Sequence, residues 1–225
     1  MSTRSSHNWQ TQPGYANSLH LDTRYPAADG WGIPQLAAAS AQKLPKTLIA
    51  YGYRARPQEP FVSPCTHFFL DDYRFEIVWR KPRQGLQSVS KYPFVLTPDF
   101  SLYRDWPLAA QLWNVYRNRY CGAYWQRHGL SVIPTVSWSS AESYPFCFSG
   151  IARGSVVAIS AVGVRWHYDL LAHALFMQGF QAMLECIDPA VVIAYGNLPP
   201  ACGELVETLY YPTRWEKGRR QKAEG

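Results

Sequence analysis

The sequence predicts an α/β fold, with a mostly parallel sheet built from repeated βα units. Two observations carry this. Short apolar or β-branched runs recur at roughly 20 to 40 residues, each followed by a turn and most by a longer helix-like segment. Several of these runs are apolar at every position rather than at alternate ones, as in strands covered by helices on both faces.

The runs are TLIAYGY (47–53), THFFL (66–70), FVLT (94–97), SVIPTVS (131–137), SVVAIS (155–160) and AVVIAYG (190–196). Six or seven units are too few for an eight-unit barrel, so the sheet is expected to be incomplete-barrel-like or open and doubly wound. Residues 1–45 are rich in Ser, Asn, Gln, Gly and Pro, without a sustained period, and read as an extended N-terminal arm docked by Trp31 and Ile33. Within it, PQLAAASAQKL suggests a helix. The α/β domain spans 46–213, and 214–225 reads as a basic, frayed C-terminal tail.

Two helices are well marked. PLAAQLWNVYRNRYCGAYWQRHG (107–129) begins with Pro107 near the first helical position and has Gly129 just past its end. YDLLAHALFMQGFQAMLECID (168–188) is apolar almost all round, which predicts burial, and Pro189 stops it. Asp71 or Asp72 reads as the cap of a further helix over YRFEIVW.

With 47 % hydrophobic and 17 % charged residues the chain is globular rather than disordered. Its five Cys are scattered without Cys-x-x-Cys, which argues for reduced thiols rather than a disulfide framework or zinc module. There is no signal-peptide-like stretch, and no apolar run reads as approaching the ~20 residues that span a bilayer. A cytoplasmic protein without a membrane partner is therefore expected. The net charge of +6 is polarised: 74–127 carries nine basic and three acidic residues, 128–213 two basic and six acidic. A basic face could meet nucleic acid, and a solvated surface accounts for the same counts.

In either α/β architecture ligands bind beyond the carboxyl ends of the strands. The residues that follow the runs form a candidate rim: Asp71 and Asp72, Asp99 with Ser101, Ser137 with Trp138, Ser160 and Gly163, Tyr195 with Asn197. Asp71, Asp72 and Asp99 are the catalytic candidates. Carboxylates from two strand ends, Asp71 and Asp99, could hold Mg²⁺, or a pair could divide into acid and base. The competing reading makes each Asp a helix or turn cap. FFL is expected to be a strand that delivers one Asp to the rim while its neighbour caps or pairs with Arg74.

Substrate-binding candidates are Trp138, Asn114, Arg117 and Tyr195. In WNVYRNRYCGAYWQR the Arg residues offer charge for phosphate and the aromatics flat faces for bases. Against this, the aromatics could pack on the sheet under Arg stems. No Gly-x-Ser-x-Gly elbow, Gly-x-Gly-x-x-Gly or Walker-type loop exists, so nucleophilic Ser chemistry and nucleotide binding by those routes have no motif behind them. Cys147, His67, His167 and His173 read as packed rather than catalytic.

The ordered blocks FFLDDYRFE, LTPDFSLY, QLWNVYRNR, VIPTVSW, FCFSGIARGSVVAI and the closing YG resemble the family called domain of unknown function 4417 over roughly residues 60–200. The resemblance implies a phage, plasmid or other mobile-element setting and carries no activity. The leading expectation is nucleic-acid association, in replication or processing, with contacts from 74–127 and the tail. The alternatives are a small-substrate pocket enzyme, such as a hydrolase, with Trp138 as a stacking platform, or a non-catalytic protein that binds a host factor.

Overall fold

The computed structural model describes residues 25–27, 29–53, 62–213 and 216. The tail from 214, apart from Glu216, and most of the arm lie outside the described residues. Among the described residues seven strands form, β1 (Thr47–Ala50), β2 (Pro64–His67), β3 (Phe94–Leu96), β4 (Ser131–Ile133), β5 (Val157–Ser160), β6 (Val192–Tyr195) and β7 (Thr208–Tyr211). The helices are α1 (Ile77–Arg80), α2 (Pro82–Val89), α3 (Leu108–Arg127), α4 (Tyr144–Cys147), α5 (Leu170–Ile187) and α6 (Ala201–Leu205).

All pairings are parallel, in a four-stranded sheet β1-β2-β3-β4 and a three-stranded sheet β5-β6-β7. Both sheets run in chain order, without the reversal that defines a doubly wound sheet. An isolated parallel bridge, Thr135 to Ala158, joins them. Pro134 has no N–H to extend the β4 ladder, so SVIPTVS does not continue as one strand. Beyond Pro134 the chain turns to β5, where Val136 N–H donates to the Ala158 carbonyl and Ala158 N–H to that of Pro134, each at 2.8 Å.

The two sheets curl about a shared interior. Leu48, Cys65, Leu96, Ile133, Ala158 and Ile193 meet there, with Leu209 of β7 packed against them. The Tyr211 hydroxyl donates to the Pro45 carbonyl, which ties β7 to the entry of β1. The arrangement is that of an incomplete barrel rather than a closed one. Outside it, α1 and α3 cover an aromatic core around Phe68, Phe75 and Trp125, and α4 and α5 cover another around Phe146, Phe176 and Met183.

Four expectations are corrected. PQLAAASAQKL forms no helix, because its backbone is taken by other segments: Leu36 N–H donates to the Gly150 carbonyl, and Gln126 brackets Ala37 at 2.9 Å on both sides. Ile33 docks this stretch fully buried, whereas Trp31 is 55 % exposed. FFL is not a strand, since β2 is PCTH and ends at His67. Alternation nevertheless persists, with Phe68 in the outer aromatic core and Phe69 stacked on Tyr195 at 5.1 Å. YRFEIVW is broken into a short 3-10 turn (Asp72–Arg74) and α1. Finally, α5 buries only one face, through Phe176, Phe180, Met183 and Ile187, while Leu170 and Leu171 are exposed. By length and composition alone α5 would also suit a membrane span.

The largest departure from the sequence reading is inside α3. Arg117 and Arg119, expected to reach solvent over aromatic faces, are 9 % and 1 % exposed. Arg119 donates to the carbonyls of Ser149 (3.0 Å), Thr135 (3.1 Å) and Cys147 (2.7 Å) and to Asn118 Oδ1 (2.5 Å). Asn118 in turn donates to the Pro98 carbonyl at 2.8 Å. One helix turn therefore holds the segments that leave β3 and β4, and these carry the site.

Candidate cleft at the carboxyl edge

The segments after β3, β4 and β5 line a cleft of about 640 Å³. Asp99, Ser101, Tyr103 and Arg104 come from the first, Ser137 and Trp138 from the second, Ser160, Gly163 and Arg165 from the third, Phe176 from α5 and Asp169 from its N-cap. In-register parallel pairing places these residues together, because it aligns the strand ends along one edge. Asp99, Ser101, Ser137, Trp138, Ser160 and Gly163 of the expected rim thus share one cavity.

Among the described residues Asp99 is the most perturbed carboxyl group. Burial pushes its pKa up to about 7; repulsion from Asp72 adds to this, and a hydrogen bond from Ser137 opposes it. Asp72 is fastened nearby. Its carboxylate accepts from the Ser101 hydroxyl at 2.8 Å and from Ser101 N–H at 3.1 and 3.2 Å. Asn114 donates to the Ser101 carbonyl at 2.7 Å and accepts from Arg117 at 2.6 Å. Arg117 pairs with Glu76 at 2.9 Å and lies 3.8 Å from the Phe100 ring centroid. A continuous polar chain, Glu76–Arg117–Asn114–Ser101–Asp72, therefore backs the cleft. It fixes the Asp72 carboxylate beside Asp99, whose own carboxyl is pushed up to about 7.

The other candidates fall elsewhere. Asp71 is exposed; only its backbone carbonyl takes part in the 3-10 turn, accepting from Arg74 N–H, and neither it nor Asp72 caps with its side chain. Asp72, not Asp71, is the acid beside Asp99. Among the described residues no group of three or more His, Cys, Asp or Glu is gathered that could hold a metal ion. Asn114 and Arg117 lie behind the cleft wall rather than on it. Tyr195 is buried in the interior, its ring 4.4 Å from that of His67. Cys147 is buried and its thiol is pushed up to about 12, as suits a packed rather than a nucleophilic cysteine.

Trp138 is half-buried, with its ring 5.2 Å from Phe176 and 6.1 Å from Phe148. It fits because residue 179 is glycine: a Cβ there would lie 2.1 Å from the indole Nε1. Gly179→Ala should therefore destabilise by about 1–3 kcal/mol through overpacking, although Gly-to-Ala within a helix ordinarily gains about 1 kcal/mol. Urea unfolding reads the sign. Adding Trp138→Phe should recover part of the loss, and a stabilised Gly179→Ala protein would show that the indole moves at no cost.

The sequence reading does not single out Tyr103, Arg104, Arg165 or Asp169. Tyr103 closes the LTPDFSLY block, and the other three have only their position after an apolar run as a signal.

A model of the family described as domain of unknown function (DUF4417) matches residues 25–212. The chain is 43 % identical over 222 residues to the "Gene 1 protein" of Mycobacterium phage D29, covering 97 % of this chain and 80 % of that protein. It is 41 % identical over 220 residues to the "Gene 1 protein" of Mycobacterium phage L5, covering 97 % and 94 %. No solved structure matches.

Proposed function

We propose a function for this chain, which belongs to the DUF4417 family and has mycobacteriophage proteins as relatives, from its own cleft: it is an enzyme that binds a small substrate there and uses Asp99 as general acid–base. The observation that carries this is a carboxyl group brought to a pKa of about 7 in a concave site at the carboxyl edge of parallel strands. Such a group can donate a proton to a leaving group or accept one from water near neutral pH. A volume of about 640 Å³ suits a small-molecule site. Asp72 acts through Asp99, as a positioning residue that sets its proton affinity. Hydrolysis of a small metabolite fits this equipment, since acid–base transfer is the chemistry it supplies.

A ¹³C titration of side-chain carboxyl groups tests the reading. Asp99 should titrate near pH 7, and Asp72→Asn should lower that midpoint while leaving the Ser101 contact an acceptor. An Asp99 midpoint near the ordinary 4 would falsify the acid–base role.

Nucleic-acid association is the second reading, and a specific surface favours it. Arg74, Arg80, Lys81, Arg83 and Lys91, on the 3-10 turn, α1, α2 and the loop before β3, are all exposed. They replace α3 as the contact, because Arg117 and Arg119 are spent inside the protein. Replacing Arg80, Lys81 and Arg83 with Gln should lower the slope of log affinity against log salt by about 3, roughly one per lost phosphate contact. An unchanged slope would make these residues a solvated basic surface only.

A further inference from the structure

The cleft is amphipathic in a way that acid–base chemistry by itself does not require. Arg104, after β3, and Arg165, after β5, line the same cleft as Ser137 and Trp138, which follow β4. Both guanidinium groups are exposed, and among the described residues neither forms an ion pair or a side-chain hydrogen bond. Planar side chains line the same cleft. Trp138 sits on the wall, and Tyr103, 53 % exposed, lines the cleft with its ring 4.8 Å from that of Trp106.

The acids of the cleft restrict where a negative group could go. Asp169 is committed to α5, with Oδ1 accepting from Leu171 N–H at 2.9 Å and Ala172 N–H at 3.1 Å. Asp105 is exposed and next to Arg104 in the chain. Asp99, backed by Asp72 and bonded by Ser137, carries little charge below neutrality. An anion in the cleft is therefore favoured at the two guanidinium groups.

We infer that the ligand is a small phosphorylated compound with a planar ring, of the mononucleotide class, its phosphate between Arg104 and Arg165 and its ring against Tyr103 and Trp138. The inference rests on the proposed cleft being the functional site. Guanidinium forks match phosphate oxygens, and aromatic faces accept any base by stacking.

Calorimetric titration with adenosine 5′-monophosphate, inorganic phosphate, adenosine and a single-stranded oligonucleotide tests it. The nucleotide should bind more tightly than either phosphate or adenosine. Arg104→Gln and Arg165→Gln should each weaken nucleotide binding by about tenfold, the loss expected for one charge-assisted hydrogen bond. Tyr103→Ala should weaken the nucleotide and leave phosphate unchanged. Nucleotide affinity should fall above pH 7 as Asp99 ionises, and Asp99→Asn should remove that fall. Wild-type affinity in both Arg variants, equal affinity for adenosine and its monophosphate, or binding of the oligonucleotide alone would overturn the inference. The catalytic reading fails separately: an Asp99 carboxyl titrating near 4 together with Arg-dependent nucleotide binding leaves a nucleotide-binding protein without the acid–base role.

Discussion

Arg119→Met should destabilise the protein by about 3–5 kcal/mol, the largest effect expected of a single substitution here. The guanidinium is fully buried and, among the described residues, has no carboxylate partner; burial lowers its pKa to about 10, so it stays charged at neutral pH. Its desolvation is offset by donation to three main-chain carbonyls and to Asn118. Methionine fills much of the volume but removes the donor from the Ser149 and Cys147 carbonyls and from Asn118 Oδ1, at about 1–3 kcal/mol each where no water enters, while the Thr135 carbonyl keeps the bond from Asn118 Nδ2 at 3.3 Å. Lysine restores charge but not the fork, so Arg119→Lys should recover only part of the loss. Because Thr135 and, through Asn118, Pro98 are among the groups held, the variant should also loosen the segments that carry Asp99 and Ser137. Urea unfolding measures the first effect, and hydrogen exchange at Thr97, Thr135 and Ser137 the second. A loss below about 1 kcal/mol would mean that solvent or neighbouring donors readily replace the guanidinium.

Asp99→Asn should raise stability at alkaline pH and abolish proton transfer in the cleft. The folded pKa, about 7, lies above the unfolded value of about 3.8. Between these values the native state holds a proton that the unfolded state has released, so stability falls as pH rises through this window and levels off above 7. Asparagine has no such proton. The variant should therefore match the wild type near pH 4 and exceed it by roughly 2 kcal/mol above pH 8, allowing for the surface that Asp99 keeps. Paired melting curves from pH 4 to 9 give the answer, and a difference that does not grow with pH would show that Asp99 ionises normally. Repeating the curves with Mg²⁺ tests the sequence expectation of a cation at Asp99. A bound cation would favour the carboxylate and pull the pH-dependent window downward.

A gain in stability on removing an active-site acid is the usual sign of a group retained for chemistry. It also separates the two readings of the aspartates. A cap converted from Asp to Asn changes stability by only a few tenths of a kcal/mol, without this pH dependence. Asp169, which does cap α5 with its side chain, is the internal control.

Much of the architecture was legible in the chain. The α3 and α5 boundaries, Leu108–Arg127 and Leu170–Ile187, follow from proline and glycine signals next to long helical segments. Gly129 does adopt a positive φ of 82° just past α3. The recurring fully apolar runs required a parallel sheet, and that alone placed Asp99, Ser101, Ser137, Trp138 and Ser160 on one edge. β7 escaped notice because TLYY is partly exposed and ends close to the polar tail, so no fully apolar run marks it.

The sequence by itself determined the βα order and the edge where chemistry would sit, because both depend on periodicity and punctuation among near neighbours. Only the tertiary structure decided which groups face water and which face one another. Asp72 meets Ser101 across 29 residues, and Arg117 meets Glu76 across 41. An arginine written next to tyrosines reads locally as surface, and becomes interior only when distant carbonyls and carboxylates converge to satisfy it. The proton affinity of Asp99 has the same origin. It arises from burial and from a second carboxylate on another segment, and neither is a property of the residues beside it in the chain.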